Sequence, residues 1–209
     1  MSESEPGADA AATPRRTTNR KPGRRDDIMA AAQALFSEQG YHATSVRQIA
    51  DAVGIRVASL YTHIDGKEDL LNEAMIAVAR RFRDAASDAR DRGGSPSDQL
   101  SFLVRAHLEI VDVETELARI LNLEWREVEV ASELRSLRSG YEDILEQILR
   151  QGSEAGEFRL TQHPKLAVYF IATALNSVCL WYQADGPLGI DQIAVEYSSL
   201  VLNSVGARG

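Results

Sequence analysis

The chain has 209 residues, 44% of them hydrophobic and 26% charged, with a formal net charge of −8 at pH 7. That balance suits a globular chain with an ample core, and no apolar run approaches the ~18–20 residues of a membrane span. One cysteine, Cys179, excludes an internal disulfide and fits a reducing, cytoplasmic setting, as does a polar N-terminus without an apolar leader segment.

Residues 1–23 are rich in Ala, Ser, Thr, Pro, Gly and charge and lack periodic apolar positions, the composition of a disordered arm. The stretch Arg15–Arg25 carries six positive charges and no acid. It reads either as a basic arm lying along a nucleic-acid backbone or in a minor groove, or as a solvated tail. A first helix follows, with Ile28, Ala31, Ala32, Leu35 and Phe36 as its apolar positions.

The next segment is the most informative. Ser45 followed three residues later by Gln48 is the reciprocal capping pattern of a helix start. Val46, Ile49, Ala50 and Val53 then recur at helical spacing, and Gly54 stands where a helix ends in the left-handed conformation. A second short helix is expected from about Val57 to His63, offering Ala58, Leu60, Tyr61 and Ile64 for packing. Asp65 with Glu68 makes another capping pair, so a further helix begins near Gly66. A helix, a glycine-containing turn and a second short helix form a helix-turn-helix unit, whose second helix lies in the major groove of double-stranded DNA. Residues 24–67 are therefore expected to form a three-helix DNA-binding domain.

Roles within that unit follow from its geometry. Arg56, Val57, Ala58 and Ser59 stand at the end of the second helix that meets base edges. The Arg56 guanidinium can bond guanine O6 and N7 together, or simply hold a phosphate. Val57 and Ala58 can touch a thymine methyl or merely permit close approach. Thr44 beside the cap can offer its hydroxyl to a phosphate. Charge agrees once it is divided. From Pro14 to Lys67 nine Lys or Arg stand against five acids, whereas residues 68–209 hold 14 basic and 23 acidic residues. Because fields are screened over ~10 Å, this describes a basic DNA-facing end on an acidic body.

Residues 68–209 read as a larger helical domain. A helix from Glu68 to about Arg90 carries Leu70, Leu71, Met75, Val78, Ala79 and Phe82, and residues 91–97 are a loop. The next helix, about Ser97–Val113, presents Leu100, Leu103, Val104, His107, Leu108 and Val111. An acidic break leads to a short helix with Leu117, Ile120, Leu121 and Leu123. Residues 124–132 fit a helix or an extended piece. A long amphipathic helix with Leu134, Leu137, Tyr141, Ile144, Leu145, Ile148 and Leu149 closes at Gly152 or Gly156. Pro164 opens a helix that runs to Tyr182 and is apolar nearly all round. Cys179 lies in that run and reads as a buried thiol rather than a redox sensor. A last helix, about Asp191–Ser204, carries Ile193, Ala194, Tyr197, Leu200 and Val201. The fold expected is all-α. Two final helices this apolar are expected to pair with their copies in a second chain as a four-helix interface, and a helix-turn-helix homodimer has two half-sites to match.

The run Arg25–Leu70 resembles the N-terminal domain of the TetR family of bacterial transcriptional regulators. The likeness lies in the order of its apolar first helix, Gly40-Tyr41, Thr44-Ser45, Ile49-Ala50, Gly54-Ile55, Leu60-Tyr61 and Lys67-Glu68. Arg56, Val57 and Ile64 depart from the usual small hydroxyl, polar and aromatic residues there. The resemblance implies phosphate contacts from Tyr61 and His63, with Lys67 near a helix start as a third. It also implies that the helix after Glu68 swings when an effector binds the body. The candidate DNA contacts are thus Thr44, Ser45, Arg47, Arg56, Val57, Ala58, Ser59, Tyr61, His63 and Lys67. The run Trp181–Leu188 with the helix behind it is similar to the C-terminal end of TetR-family regulators of fatty-acid and steroid catabolism, which implies an acyl-CoA thioester as effector.

An effector cavity is expected between the central helices, about Leu100–Ala155. Its candidate polar groups are Arg119, Glu124, Arg126, Tyr141 and Asn176, and its candidate walls are Phe102, Leu121, Trp125 and Phe170. Nothing resembles a nucleophile elbow, a phosphate loop or a zinc cluster. His107 with Glu114 and Glu116 reads as solvated surface rather than a metal site, so no catalytic residue, metal or cofactor is assigned. The leading expectation is a repressor released by a small effector. The competing readings are a repressor of an efflux pump sensing lipophilic drugs, and a helical interaction protein that does not read DNA.

Overall fold

A computed structural model of the protein describes residues 23–124, 131–160 and 163–207, and no strand occurs among them. The helices are α1 (Arg24–Gln39), α2 (Val46–Ala52), α3 (Val57–Leu60), α4 (Lys67–Asp91), α5 (Pro96–Val113), α6 (Thr115–Glu124), α7 (Ala131–Glu154), α8 (Pro164–Ser177) and α9 (Ile190–Ser204), with a single 3₁₀ turn at Val178–Leu180 after α8.

Several boundaries are set by local chemistry. The Gln48 amide donates to Ser45 Oγ at 3.2 Å, while the Ser45 amide donates back to Gln48 Oε1 at 2.8 Å. At the other end of α2, Gly54 adopts φ +69°, and the amides of Gly54 and Ile55 close on the carbonyls of Asp51 and Ala50, sealing two orphaned acceptors. Ser95 and Asp98 repeat the capping pair at α5, with Pro96 in its first turn. The expected Asp65–Glu68 pair does not form. Gly66 precedes α4 without a side-chain cap, and the Asp65 amide instead donates to Asp69 at 3.4 Å. The second short helix is also briefer than its periodicity suggests, since residues 61–63 are turn.

Packing centres on α4. Its buried face, from Leu70 through Met75, Val78 and Phe82 to Ala89, meets α1 near its start and α5, α6 and α7 farther along. The apolar sides of α5 and α9 close on each other, so one continuous core runs from Ile28 to Val205. Gly152 does not stop α7. The helix continues to Glu154, and the missing Cβ at Gly152 leaves room for the buried Phe158 ring, which a Cβ there would overlap. Cys179 is buried, as its apolar neighbours suggested.

Not every apolar position is inside. Leu123 on α6 is exposed, against expectation. So are Leu166, Tyr169 and Phe170 on α8, Leu180 and Trp181 after it, and Val195 and Leu200 on α9. The Trp181 and Tyr197 rings, 6.4 Å apart, bring the two stretches together. An exposed apolar surface of this kind marks an interaction site.

Candidate functional site

The N-terminal head exposes one edge of its second short helix. Arg56 caps α3 with its backbone only, and Arg56, Ala58 and Ser59 are exposed and Val57 is half-buried. Leu60 and Ile64 are buried beneath them, which orients that edge outward. Tyr61 is 53% exposed and His63 half-buried. Arg47 lies on the exposed side of α2, 3.8 Å from Asp51, a solvent-exposed pair of little energetic weight.

Two of the expected contacts have other duties. The Thr44 hydroxyl is buried; it donates to the Gly40 carbonyl at 2.9 Å and accepts from Gln39 Nε2 at 3.1 Å. The hydroxyl expected on a phosphate is thus engaged within the turn between α1 and α2. Lys67 Nζ donates to the carbonyls of Tyr41 and Thr44, both at 2.9 Å, and lies 4.1 Å from the Tyr41 ring centroid. Lys67 therefore clamps the α1–α2 turn to the start of α4, and only one of its three N–H donors is left for a phosphate. Arg25, counted with the basic arm, turns inward. Its guanidinium donates to Glu73, to Asp69 at 3.2 Å and to the His63 carbonyl, tying α1 and the end of the recognition segment to α4.

The head is also joined to the body through α6. Glu114, just before that helix, accepts from Arg81 of α4 at 2.6 Å and from Ser37 of α1 at 3.5 Å. Glu116 pairs with Arg119 at 2.5 Å, so neither acid faces His107 as a metal partner would.

Between α4, α5, α6, α7 and α8 lies a cavity of about 70 Å³. Ala79 and Phe82 come from α4, His107 from α5, and Ala118, Leu121 and Asn122 from α6. Leu134, Leu137, Arg138 and Tyr141 of α7 and Asn176 of α8 complete it. His107 Nδ1 lies 3.1 Å from the Tyr141 hydroxyl, and the Phe82 ring covers the imidazole at 4.5 Å between centroids. Burial pushes the His107 pKa down to about 3 and raises that of Tyr141, so both are neutral at pH 7.

Comparison with known proteins decides what this arrangement is. Residues 28–74 match the family model described as bacterial regulatory proteins, tetR family, and residues 93–205 match the tetracyclin repressor-like C-terminal domain. The HTH-type transcriptional repressor KstR2 of Rhodococcus jostii is 30% identical over 196 residues, covering 90% of this chain and 94% of that protein. The chain belongs to the TetR family. It is a helix-turn-helix transcriptional regulator, not an enzyme, as its likeness at Arg25–Leu70 suggested. Among solved structures, the ketosteroid transcriptional regulator KstR2 of Mycobacterium tuberculosis superposes with a TM-score of 0.75 at 27% identity, covering 90% of this chain and 96% of that one. AibR, solved with isovaleryl coenzyme A and operator DNA, gives 0.71 at 25% identity, with 85% and 97% covered. No described helix of this TetR-family protein is long and apolar enough to cross a membrane.

Within the TetR body some of the residues expected to wall an effector site line this cavity and others do not. Leu121, Tyr141 and Asn176 line it. Phe102 does not; its ring lies under the Arg92 guanidinium at 4.2 Å, by the loop between α4 and α5. Phe170 faces outward from α8, 59% exposed. Trp125 and Arg126 lie outside the described residues, and so does the Glu124 side chain. His107, Asn122 and Arg138 were missed. The signal for His107 was an imidazole set among the apolar positions Leu103, Val104, Leu108 and Val111 of α5.

His107 also makes the stability of the regulator pH-dependent. An unfolded imidazole binds its proton near pH 6.5, whereas the buried one stays neutral until about pH 3. The unfolded chain thus holds the extra proton between those values, and stability falls as pH drops through that window, by at most about 1.4 kcal/mol per pH unit. Urea unfolding of wild type and His107→Phe across that window is expected to show a flatter dependence for the variant. Parallel curves would contradict the assignment.

Proposed function

We propose that this protein is a homodimeric repressor that holds a palindromic operator and releases it when a small effector enters the cavity. The observation that carries this reading is mechanical. The cavity walls belong to α4 and α6, among others, and both are tied to α1 of the DNA-binding head, through Arg25 and through Glu114. About 70 Å³ is far below the ~300–1,000 Å³ of a typical ligand pocket. An effector therefore widens the cavity, and widening it displaces helices on which the heads are mounted. The effector shifts the equilibrium by its preference for the widened arrangement.

The exposed apolar surface of α8 and α9 supplies the dimer contact, and the two heads then meet successive major grooves about one helical turn apart. In each head Arg56, Ser59 and the residues beside them read the groove, with Arg47, Tyr61 and His63 on the backbone. An acyl-CoA thioester is the effector class we favour. Its support is the similarity to a protein described as a ketosteroid transcriptional regulator and to one solved with isovaleryl coenzyme A. The test is release of a fluorescent operator by a panel of CoA thioesters set beside lipophilic drugs. Release by thioesters alone is the expected result. Release by drugs alone would replace the thioester with a drug effector, and release by neither would remove effector control.

A further inference from the structure

His107, which lines the cavity, carries a ring nitrogen that no described residue serves. His107 is 2% exposed, and its Nε2 is buried without a partner among the described residues. The other ring nitrogen faces the Tyr141 hydroxyl at 3.1 Å, and that contact fixes the tautomer. If Nδ1–H donated to the phenol oxygen, both the phenol proton and the Nε2 lone pair would lack partners, since the phenol has no other acceptor among the described residues. If the phenol donates to Nδ1, the Nε2–H is left over together with the phenol oxygen, a weak acceptor. Imidazole nitrogen is a far stronger acceptor than a phenol oxygen, and a strong acceptor left unmet is the costlier loss, so the phenol donates to Nδ1 and Nε2 is a donor.

We infer that the cavity selects an effector whose apolar skeleton carries a neutral carbonyl oxygen that accepts a hydrogen bond from His107 Nε2–H. This rests on the effector reading above and narrows it. The surroundings are apolar: Phe82 covers the ring, and Ala79, Ala118, Leu134 and Leu137 supply much of the wall. A carboxylate set there would keep its charge without a counter-charge on the imidazole, an expensive burial. The one cation in the wall among the described residues, Arg138, is half-exposed and already paired with Glu142 at 3.0 Å. A carbonyl oxygen carries no such penalty and supplies the acceptor that the buried donor lacks. Two sources share that chemistry, the thioester carbonyl of an acyl-CoA and a ketone on an alicyclic ring.

The experiment follows the His107 imidazole by proton–nitrogen NMR in the full-length protein and measures binding by calorimetry. Decanoyl-CoA is compared with S-decyl-CoA, a thioether in which a methylene replaces the carbonyl, and a decalone with decalin. On the thioester route, decanoyl-CoA shifts the Nε2–H resonance and binds about tenfold more weakly to His107→Phe. His107→Gln, which keeps an N–H donor, recovers part of the loss. S-decyl-CoA binds wild type and His107→Phe alike. On the ketone route, the decalone shifts the resonance and decalin does not, with no thioester binding the wild type. Binding of decanoyl-CoA to wild type and His107→Phe alike, with the resonance unmoved, overturns the inference while leaving the effector reading in place. A resonance that moves with neither carbonyl probe overturns it on both routes, whatever the variants do.

Discussion

Glutamate in place of Leu200 is expected to leave each chain folded, split the protein into monomers and weaken operator binding by about 10²–10⁴-fold, the gain that joining two binding heads supplies. Leu200 is 61% exposed in the single chain, so its replacement removes nothing from the core of one subunit. In the proposed dimer the same position is covered, and a buried carboxylate without a partner opposes association. Sedimentation equilibrium with circular dichroism checks the first half, and anisotropy of a labelled operator the second. A Leu200→Glu protein that remains dimeric would move the interface elsewhere. One that is monomeric yet binds operator as the wild type does would remove dimerisation from the mechanism. Leu166 and Phe170 of α8 and Val195 of α9 share the exposure, and alanine at any of them should weaken association by less than the charge does.

The second large effect is at Arg56. No hydrogen bond or ion pair holds its side chain among the described residues, it stands at the exposed start of α3, and its backbone rather than its side chain caps the helix. Arg56→Ala should therefore leave the melting temperature unchanged while costing about 1–3 kcal/mol of operator affinity if the guanidinium pairs with a guanine. The pattern across operator variants separates the two roles this residue can play. A base contact relaxes specificity at one position of each half-site, whereas a phosphate contact weakens all sequences alike and lowers the salt dependence by about one unit. Lys67→Ala behaves differently. With two carbonyls of the α1–α2 turn losing their donor, it should reduce the stability of the head as well as its affinity.

What the sequence disclosed, and what it hid, divides along local and tertiary lines. The Ser45–Gln48 cap, the Gly54 turn and the Ser95–Pro96–Asp98 start of α5 are chemistry between near neighbours, so the sequence marks them directly. The Thr44 hydroxyl and the Lys67 ammonium look like phosphate ligands in sequence. Both are claimed by turn carbonyls, and nothing in the chain order announces those acceptors. The apolar run of α8 told that the helix is covered on every side, but not which side meets the core and which meets a partner. Phe170 was accordingly placed in a cavity when it faces outward. Phe102 was misplaced for the same reason: periodicity says that a residue is turned from solvent, not which neighbour it meets. His107 sat in plain view in the stripe of α5. Its meaning depends on Tyr141, 34 residues away.

Sequence-selective DNA binding by paired heads is tested most directly by one titration: binding of the purified protein to the duplex it selects from genomic fragments, followed by anisotropy from about 50 to 200 mM salt against an unrelated duplex of equal length. With two heads each holding several phosphates, affinity for a palindromic fragment should fall by about 10³–10⁵ over that range while staying well above that for the unrelated duplex. Equal affinity for both duplexes, or an affinity indifferent to salt, would contradict it.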